Sequence, residues 1–522
     1  MWGTITRVFD TACRHHAERV AVIDGDRQVT YADLHRDVEG LAGALGSLNG
    51  GPGLRVGLLA PNSVEFITGL YGIWKGRGTL VQLPTLAPEN DLAYMLTMAE
   101  ATAIIYHESF DATVEKLRDV CPQLRHFVRI APSRSTTPSG VVDFHEFLAL
   151  GVAEGHATVN SEPDDLAFIA FTSGTTGQPK AVLQTQATYS HYAITAGMEI
   201  GDTRPGERFV HCAPLTHFSQ QFLLPTMMRG GTNIMLPSMD LQGLVEAVRT
   251  HRATATALVP TLIYMLLDRD DLDLDAMSSL RTIIYAGSPM SPDRLRQAVA
   301  TFGSVFIQAY GGSEPGFMTV LRKDEHAEAL EHRPDRLSSA GRAFYHVELS
   351  IQDENGETVP PGEVGEICAR QEGQMTGYLD GSLNAETMRD GWVRSGDLGW
   401  MDEDGYLFIV DRVKDMIVTG GFNVFPRQIE DVLSAHPNVV QCAVIGVPHE
   451  KWGEAVKAVV ILRPDAQADP DELITLVKRA KGSVWAPKSV EFVSALPLNP
   501  AGKVDKKTLR ASYWKGRSRS IN

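Results

Sequence analysis

The chain reads as an α/β protein in which a large N-terminal domain of parallel-rich sheets flanked by helices carries a small β-rich subdomain and is followed by an α+β C-terminal domain. Three observations predict this. Short apolar runs alternate with amphipathic stretches from about residue 20 to 340, the pattern shortens to alternating segments from about 345 to 410, and a new unit begins after Lys414. The expected division is residues 1–413 and 414–522.

In order, Arg55–Ala60 reads as a strand, 63–73 as a helix and 78–82 as the next strand. The same alternation returns in the strand 254–259, the helix 261–267, the strand 282–286, the helix 292–302 and the strand 305–308. Parallel strands joined by helices place ligands at strand carboxyl ends, where Thr172 onward and Ala309 onward are expected to lie. Segments 347–352 and 364–369, separated by Asn-Gly and Pro-Pro-Gly turns, read as β-hairpin strands. Beyond Lys414 come a helix at 427–435, strands at 439–447 and 455–462, a helix at 471–480 and a last strand near 490–493. Residues 131–140 read as an exposed loop and the basic tail from Tyr513 as a frayed, solvated end.

With 522 residues, 43% hydrophobic and 21% charged, the chain is long enough for several cores. It carries neither a run of apolar residues long enough to span a membrane nor an apolar secretory leader, so a cytoplasmic enzyme is expected. A net charge of −16 argues against nonspecific nucleic-acid binding, and anionic substrates must therefore be met by a few local cations, Lys180, Arg412 and Lys503. The five cysteines, at 13, 121, 212, 368 and 442, are odd in number and far apart, with no C-x-x-C pair, so reduced structural thiols are expected.

The chemistry begins at Phe171-Thr-Ser-Gly-Thr-Thr-Gly-Gln-Pro-Lys180, which follows an apolar strand. Its glycines allow the turns that aim backbone N–H groups at an anion, its hydroxyls add donors and Lys180 adds a point charge. The spacing is not that of a Walker loop. Further along stand Pro214-Leu-Thr-His217, Ala286-Gly-Ser-Pro289, Gln308-Ala-Tyr-Gly-Gly-Ser-Glu314, Ser395-Gly-Asp397, Asp411-Arg-Val-Lys-Asp415, Gly420-Gly-Phe-Asn-Val-Phe-Pro426 and Gly502-Lys503. In this order the motifs resemble the adenylate-forming superfamily, which contains acyl-CoA and aryl-CoA synthetases, firefly luciferase and the adenylation domains of peptide synthetases. The resemblance runs from Val29-Thr-Tyr-Ala-Asp-Leu34 to Lys507.

The resemblance implies a role for each motif. Thr172, Ser173, Gly174, Thr175, Thr176 and Gly177, with Lys180, would clamp the β- and γ-phosphates of ATP; Ala181 stands where glycine is commoner. Gly287 and Ser288, with Gln308, Ala309, Tyr310, Gly311, Gly312 and Ser313, would line the nucleotide site, and Ser313 replaces a more frequent threonine. Glu314 and Thr175 would hold Mg²⁺, since a hard cation takes oxygen ligands. Asp397 would accept from both ribose hydroxyls with Arg412 beside it. Lys503 would reach the carboxylate and α-phosphate, and with Lys180 and His217 it completes the expected catalytic set. Lys414 stands at the expected hinge, about which a mobile small domain would turn to present Gly420, Gly421 and Phe422 to the pantetheine of CoA.

His217, Phe218, Gln221, Tyr310 and Gly311 would border the acyl pocket. No aspartate lies between Cys212 and Leu224 to pair with a substrate ammonium, so a hydrophobic monocarboxylate is expected rather than an amino acid. No carrier domain follows Lys503, which makes free CoA the expected acceptor. Two alternatives stay open: an acyl-AMP ligase that loads a discrete acyl carrier protein, and a non-catalytic nucleotide-binding regulator. Retention of Lys180, Glu314, Asp397, Arg412 and Lys503 counts against the regulator, and homodimer formation is left open.

Overall fold

Helix Val64–Lys75, buried on every side, lies at the centre of the large domain, beside the strands Arg55–Leu59 and Thr79–Gln82 that precede and follow it. Ser63 caps it, its hydroxyl accepting the Phe66 N–H, and the helix that follows is mostly apolar, its two charged residues being paired, Glu65 with Arg27 and Lys75 with Asp10. The computed structural model describes residues 3–48, 53–131, 135–154, 161–172, 179–200, 205–288, 290–464, 466–498 and 504–514.

Two large sheets carry the N-terminal part, one of nine strands and one of eight. In the first, Ala255–Leu258, Thr282–Tyr285 and Phe306–Gly312 run parallel, with antiparallel strands added at both ends. In the second, Arg55–Leu59, Thr79–Gln82, Ala103–His107 and Leu166–Thr172 are parallel, and Lys180–Thr185 turns back antiparallel on Leu166–Thr172. One apolar core joins both sheets, reaching from Ile5 to Leu407. Helices Tyr31–Ser47 and Phe144–Glu154 cross where a Cβ on Gly151 would lie 1.9 Å from the Gly40 carbonyl oxygen, a separation only glycine permits.

A five-stranded sheet follows, built from Glu348–Gln352, Gly365–Arg370, Trp392–Met401 and Leu407–Arg412 with one short strand at its edge. The last sheet, also five-stranded, starts at Ile417–Thr419 and includes Val439–His449, Gly453–Leu462 and Ser489–Phe492. It has its own core, made with helices Pro426–Ser434 and Pro470–Lys481 and, among the described residues, drawing on none before Ile417. No helix among the described residues is long and apolar enough to cross a membrane.

Thr172 ends its strand as expected, and the chain returns antiparallel as Lys180–Thr185. Two expectations change. Ala309 is not beyond its strand, because Phe306–Gly312 continues to Gly312 before turning into Gly316–Leu321. The tail is anchored at its start: the Tyr513 hydroxyl donates to Glu491 at 2.5 Å and the Trp514 indole N–H to the Gly446 carbonyl at 3.0 Å. The cysteines are all free thiols, and burial pushes the Cys212 thiol up to about 11.

Candidate active site

Strand Trp392–Met401 sets Asp397 directly opposite Arg412 of strand Leu407–Arg412. The Asp397 carboxylate is 15% exposed; one oxygen accepts the Tyr310 hydroxyl at 2.7 Å and the other lies 3.4 Å from Arg412 Nε, whose side chain is 51% exposed. Burial, reinforced by the neighbouring Asp397 charge, carries the Tyr310 phenol well above its usual pKa, so it stays a donor. Burial works against the Arg412 charge, but Asp397 and Asp415 outweigh it and raise its pKa. Three elements thus converge on one anionic group beside a cleft of about 1030 Å³. Gly287, Ser288, Ala309 and Gly311 line that cleft together with Tyr310, Asp397 and Arg412.

Gln308 also borders the cleft, but its side-chain oxygen accepts the hydroxyl of buried Tyr285 at 3.1 Å and so braces the core. Gly311 pairs with Phe317 across the hairpin, where a Cβ would lie 2.1 Å from the Gly316 carbonyl. Gly312 and Ser313 are exposed at its tip.

At the base of the glycine-rich loop, Thr172 stands opposite Lys180 in the strand pair. Ser173, Gly174, Thr175, Thr176 and Gly177 lie outside the described residues, as does Lys503. Glu314 Oε1 accepts the hydroxyls of Thr172 and Tyr378, each at 3.1 Å, and the Lys180 ammonium lies 5.3 Å from the centre of the Tyr378 ring. Glu314 Oε2 accepts no hydrogen bond among the described residues. A half-buried carboxylate with one oxygen fixed and one left over fits a hard cation such as Mg²⁺.

Where the acyl pocket is expected, Asn62 holds the loop that carries His217. Its amide donates to the carbonyls of His211 and Ala213 at 3.1 and 3.0 Å and accepts the Leu215 N–H at 2.7 Å. His217 Nδ1 lies 3.0 Å from the Thr216 hydroxyl. Phe218 packs edge-on against Phe222 and Phe317, and Gly311 pairs with the Phe317 backbone in the neighbouring strand. The two neighbouring amides part company: Gln220 is buried between Tyr189 and Gln82, at 2.7 and 3.1 Å, whereas Gln221 is partly exposed.

Residues Val504 to Lys507 line the same cleft, while Gly420, Gly421 and Phe422 lie outside it and are exposed, Phe422 by 59%. Lys506 pairs with Glu430 at 2.7 Å and Arg510 with Asp415 at 2.8 Å. Asp411, 6% exposed, accepts the backbone N–H groups of Arg412 at 2.7 Å and Arg427 at 3.0 Å. It thereby caps helix Pro426–Ser434, whose own N-cap, Phe425, has no capping side chain. Burial lifts the Asp411 pKa to about 6, although Lys506 opposes the rise. Burial, aided by Arg412, lowers that of Lys414. Arg463 of the small domain reaches Asp268 of the large one at 3.7 Å.

Tyr378, Asn62 and Asp411 are the site-forming residues that sequence reasoning did not assign. Asp411 alone carried a usable signal, its place at the head of Asp-Arg-Val-Lys-Asp.

The AMP-binding enzyme family matches residues 9–379, and its companion, the AMP-binding enzyme C-terminal domain, matches 428–503. A medium/long-chain-fatty-acid–CoA ligase, FadD8 of Mycobacterium tuberculosis, is 37% identical over 98% of this chain and 90% of its own. A feruloyl-CoA synthase of an Amycolatopsis species is 32% identical over 94% of this chain and 96% of its own. Among solved structures, the amide bond synthetase McbA from Marinactinospora thermotolerans superposes with a TM-score of 0.88 at 32% identity, over 97% of this chain and 99% of that one.

Proposed function

Because the chain belongs to the AMP-binding enzyme family, we propose that it is an AMP-forming acid:CoA ligase acting on a hydrophobic monocarboxylate. The observations that carry this reading are Asp397 held by Tyr310 and Arg412 at the cleft, and Glu314 held by Thr172 and by Lys180's neighbour Tyr378 at the base of the glycine-rich loop.

In the first half-reaction the substrate carboxylate attacks the α-phosphorus of ATP, forming acyl-adenylate and releasing pyrophosphate. The loop 173–180 and Lys180 meet the departing phosphates, and Lys503 meets charge developing between carboxylate and α-phosphate. Asp397, held by Tyr310 and Arg412, accepts from the ribose hydroxyls. Glu314, with Thr175, would hold Mg²⁺, which supplies neutralisation of phosphate charge when bound. His217 and Phe218, with Gln221, Tyr310 and Gly311, border the acyl group. In the second half-reaction the thiol of CoA attacks the acyl carbon, the bond to AMP breaks, and AMP leaves as a good leaving group.

The two steps need two poses of the small domain, residues 414–522, turning about Lys414 against residues 1–413. Cleft-lining Val504 to Lys507 and outward-facing Gly420 to Phe422 support reading the observed pose as the adenylating one. A cytoplasmic location fits this reading, since both ATP and CoA are at hand there. A carrier-protein acceptor is the second reading, supported by the 30% identity of this chain, over 99% of its length, to the fatty acid–[acyl-carrier-protein] ligase ScoC of Streptomyces coeruleorubidus.

A panel of carboxylates assayed for pyrophosphate release, with and without CoA, tests this. The expected result is release with hydrophobic monocarboxylates and matching acyl-CoA. No release with any acid overturns the ligase reading, and acylation of a carrier protein but not of CoA reassigns the acceptor.

A further inference from the structure

Tyr378 lies in the two-residue strand Gly377–Tyr378, which pairs antiparallel with Lys180–Thr185 at Val182. It is 5% exposed, and its two polar-interacting faces meet opposite charges. The hydroxyl donates to Glu314 Oε1 at 3.1 Å, and the ring face lies 5.3 Å from the Lys180 ammonium. Thr172, the partner of Lys180 across the strand pair, donates to that same Glu314 oxygen. Both ends of the glycine-rich loop therefore abut one tyrosine–glutamate pair from other parts of the chain.

We propose that Tyr378 is a positioning residue that holds the Lys180 ammonium and the Glu314 carboxylate apart, so that each keeps its charge for the nucleotide; the proposal rests on the ligase reading. Opposite charges a few ångströms apart in a half-buried site attract strongly, and a lysine paired to a carboxylate offers little net charge to a polyphosphate. A tyrosine answers this in two ways. Its π face attracts the ammonium without neutralising it, and its hydroxyl, with that of Thr172, fixes Oε1 and leaves Oε2 open. The side chain acts on Lys180 and Glu314 and does not itself meet the reacting atoms.

The test compares Tyr378→Leu, which removes both the hydroxyl and the π face, with Tyr378→Phe, which keeps the ring. Binding of ATP without added metal is measured by calorimetry, alongside KM and kcat for pyrophosphate release and acyl transfer from synthetic acyl-adenylate to CoA. Tyr378→Leu is expected to weaken metal-free ATP binding about tenfold, as Lys180 collapses onto Glu314, and to leave acyl transfer within about twofold. Tyr378→Phe is expected to bind ATP within about threefold of the wild type. Adding Glu314→Gln to Tyr378→Leu should restore metal-free ATP binding, a rescue that a merely structural defect does not produce. If Tyr378→Leu fails to fold, Tyr378→Met takes its place, keeping bulk without the π face. Wild-type ATP binding by Tyr378→Leu, equal damage in Tyr378→Phe, or failure of the Glu314→Gln rescue overturns the proposal. A wild-type protein that neither binds ATP nor releases pyrophosphate sinks the ligase reading and this proposal with it.

Discussion

Asp411 is buried where its carboxylate accepts two backbone N–H groups and faces Lys506 across the segment that joins the domains. Its pKa rises from 3.8 to about 6 on folding, so the native state holds the proton more tightly than the unfolded chain does. Stability from this proton is fully present below the unfolded pKa and is lost as pH rises through about 6. Asp411→Asn, which removes the buried charge and keeps one acceptor, is therefore expected to be more stable than wild type at about pH 8, by about 1–3 kcal/mol. The gap should close as pH falls below about 6; thermal melts of both proteins across that range check it. A second prediction concerns charge at the phosphate end. Lys180→Ala and Glu314→Ala should each lower pyrophosphate release by about 10²–10³, the usual worth of one positioned charge, and unchanged release in both would remove them from the site. Lys180, Glu314, Asp397 and Arg412 were legible because each stands in a short motif with its own chemistry. Tyr378 and Asn62 were not, since Tyr378 meets a carboxylate 64 positions away and Asn62 carbonyls 149 and 151 positions away, and nothing local marks such partners.

At the scale of elements, the parallel strands and covering helices of the large domain were readable because apolar period changes visibly between a buried strand and an amphipathic helix. The direction of a strand is not written in that period. Lys180–Thr185 has the apolar content of any strand, and only pairing with Leu166–Thr172 shows that the chain turns back there. The same limit hid the continuation of Phe306–Gly312 through residues that read as a loop: Gly311 is demanded by close backbone approach at Gly316, not by a turn at Ala309. The short helix Lys506–Ala511 is held by Lys506 to Glu430 and by Arg510 to Asp415, both pairs largely buried. Removing one partner of such a pair leaves the other charge stranded, at about 3–5 kcal/mol. Lys506→Met is therefore expected to lower the melting temperature of the small domain, with Lys506→Arg recovering most of it; equal melting of the Met variant and wild type would show the pair to be idle.

Across the whole molecule, the large domain shares one core between two sheets, whereas the last sheet keeps its own, as the proposed movement of the small domain as a body requires. The segment between them carries cleft-lining Arg412, Lys414 and Asp415, so the proposed rotation there would change what the small domain presents to a nucleotide in the cleft. In the observed pose residues 504–507 face the cleft and Gly420 to Phe422 face away. Gly421, at φ +84° with open space around it, takes a larger side chain only with backbone strain of about 1–2 kcal/mol, small beside a blocked thiol path. The central claim is that one mobile domain serves two half-reactions with different residues. Its most direct test is acyl-CoA formed from synthetic acyl-adenylate, set against pyrophosphate released from acid and ATP, in Lys503→Ala and Gly421→Leu. Lys503→Ala is predicted to lose pyrophosphate release by about 10²–10³ and keep acyl transfer, and Gly421→Leu to do the reverse; equal loss of both activities in both variants would contradict the alternation of one domain between two tasks.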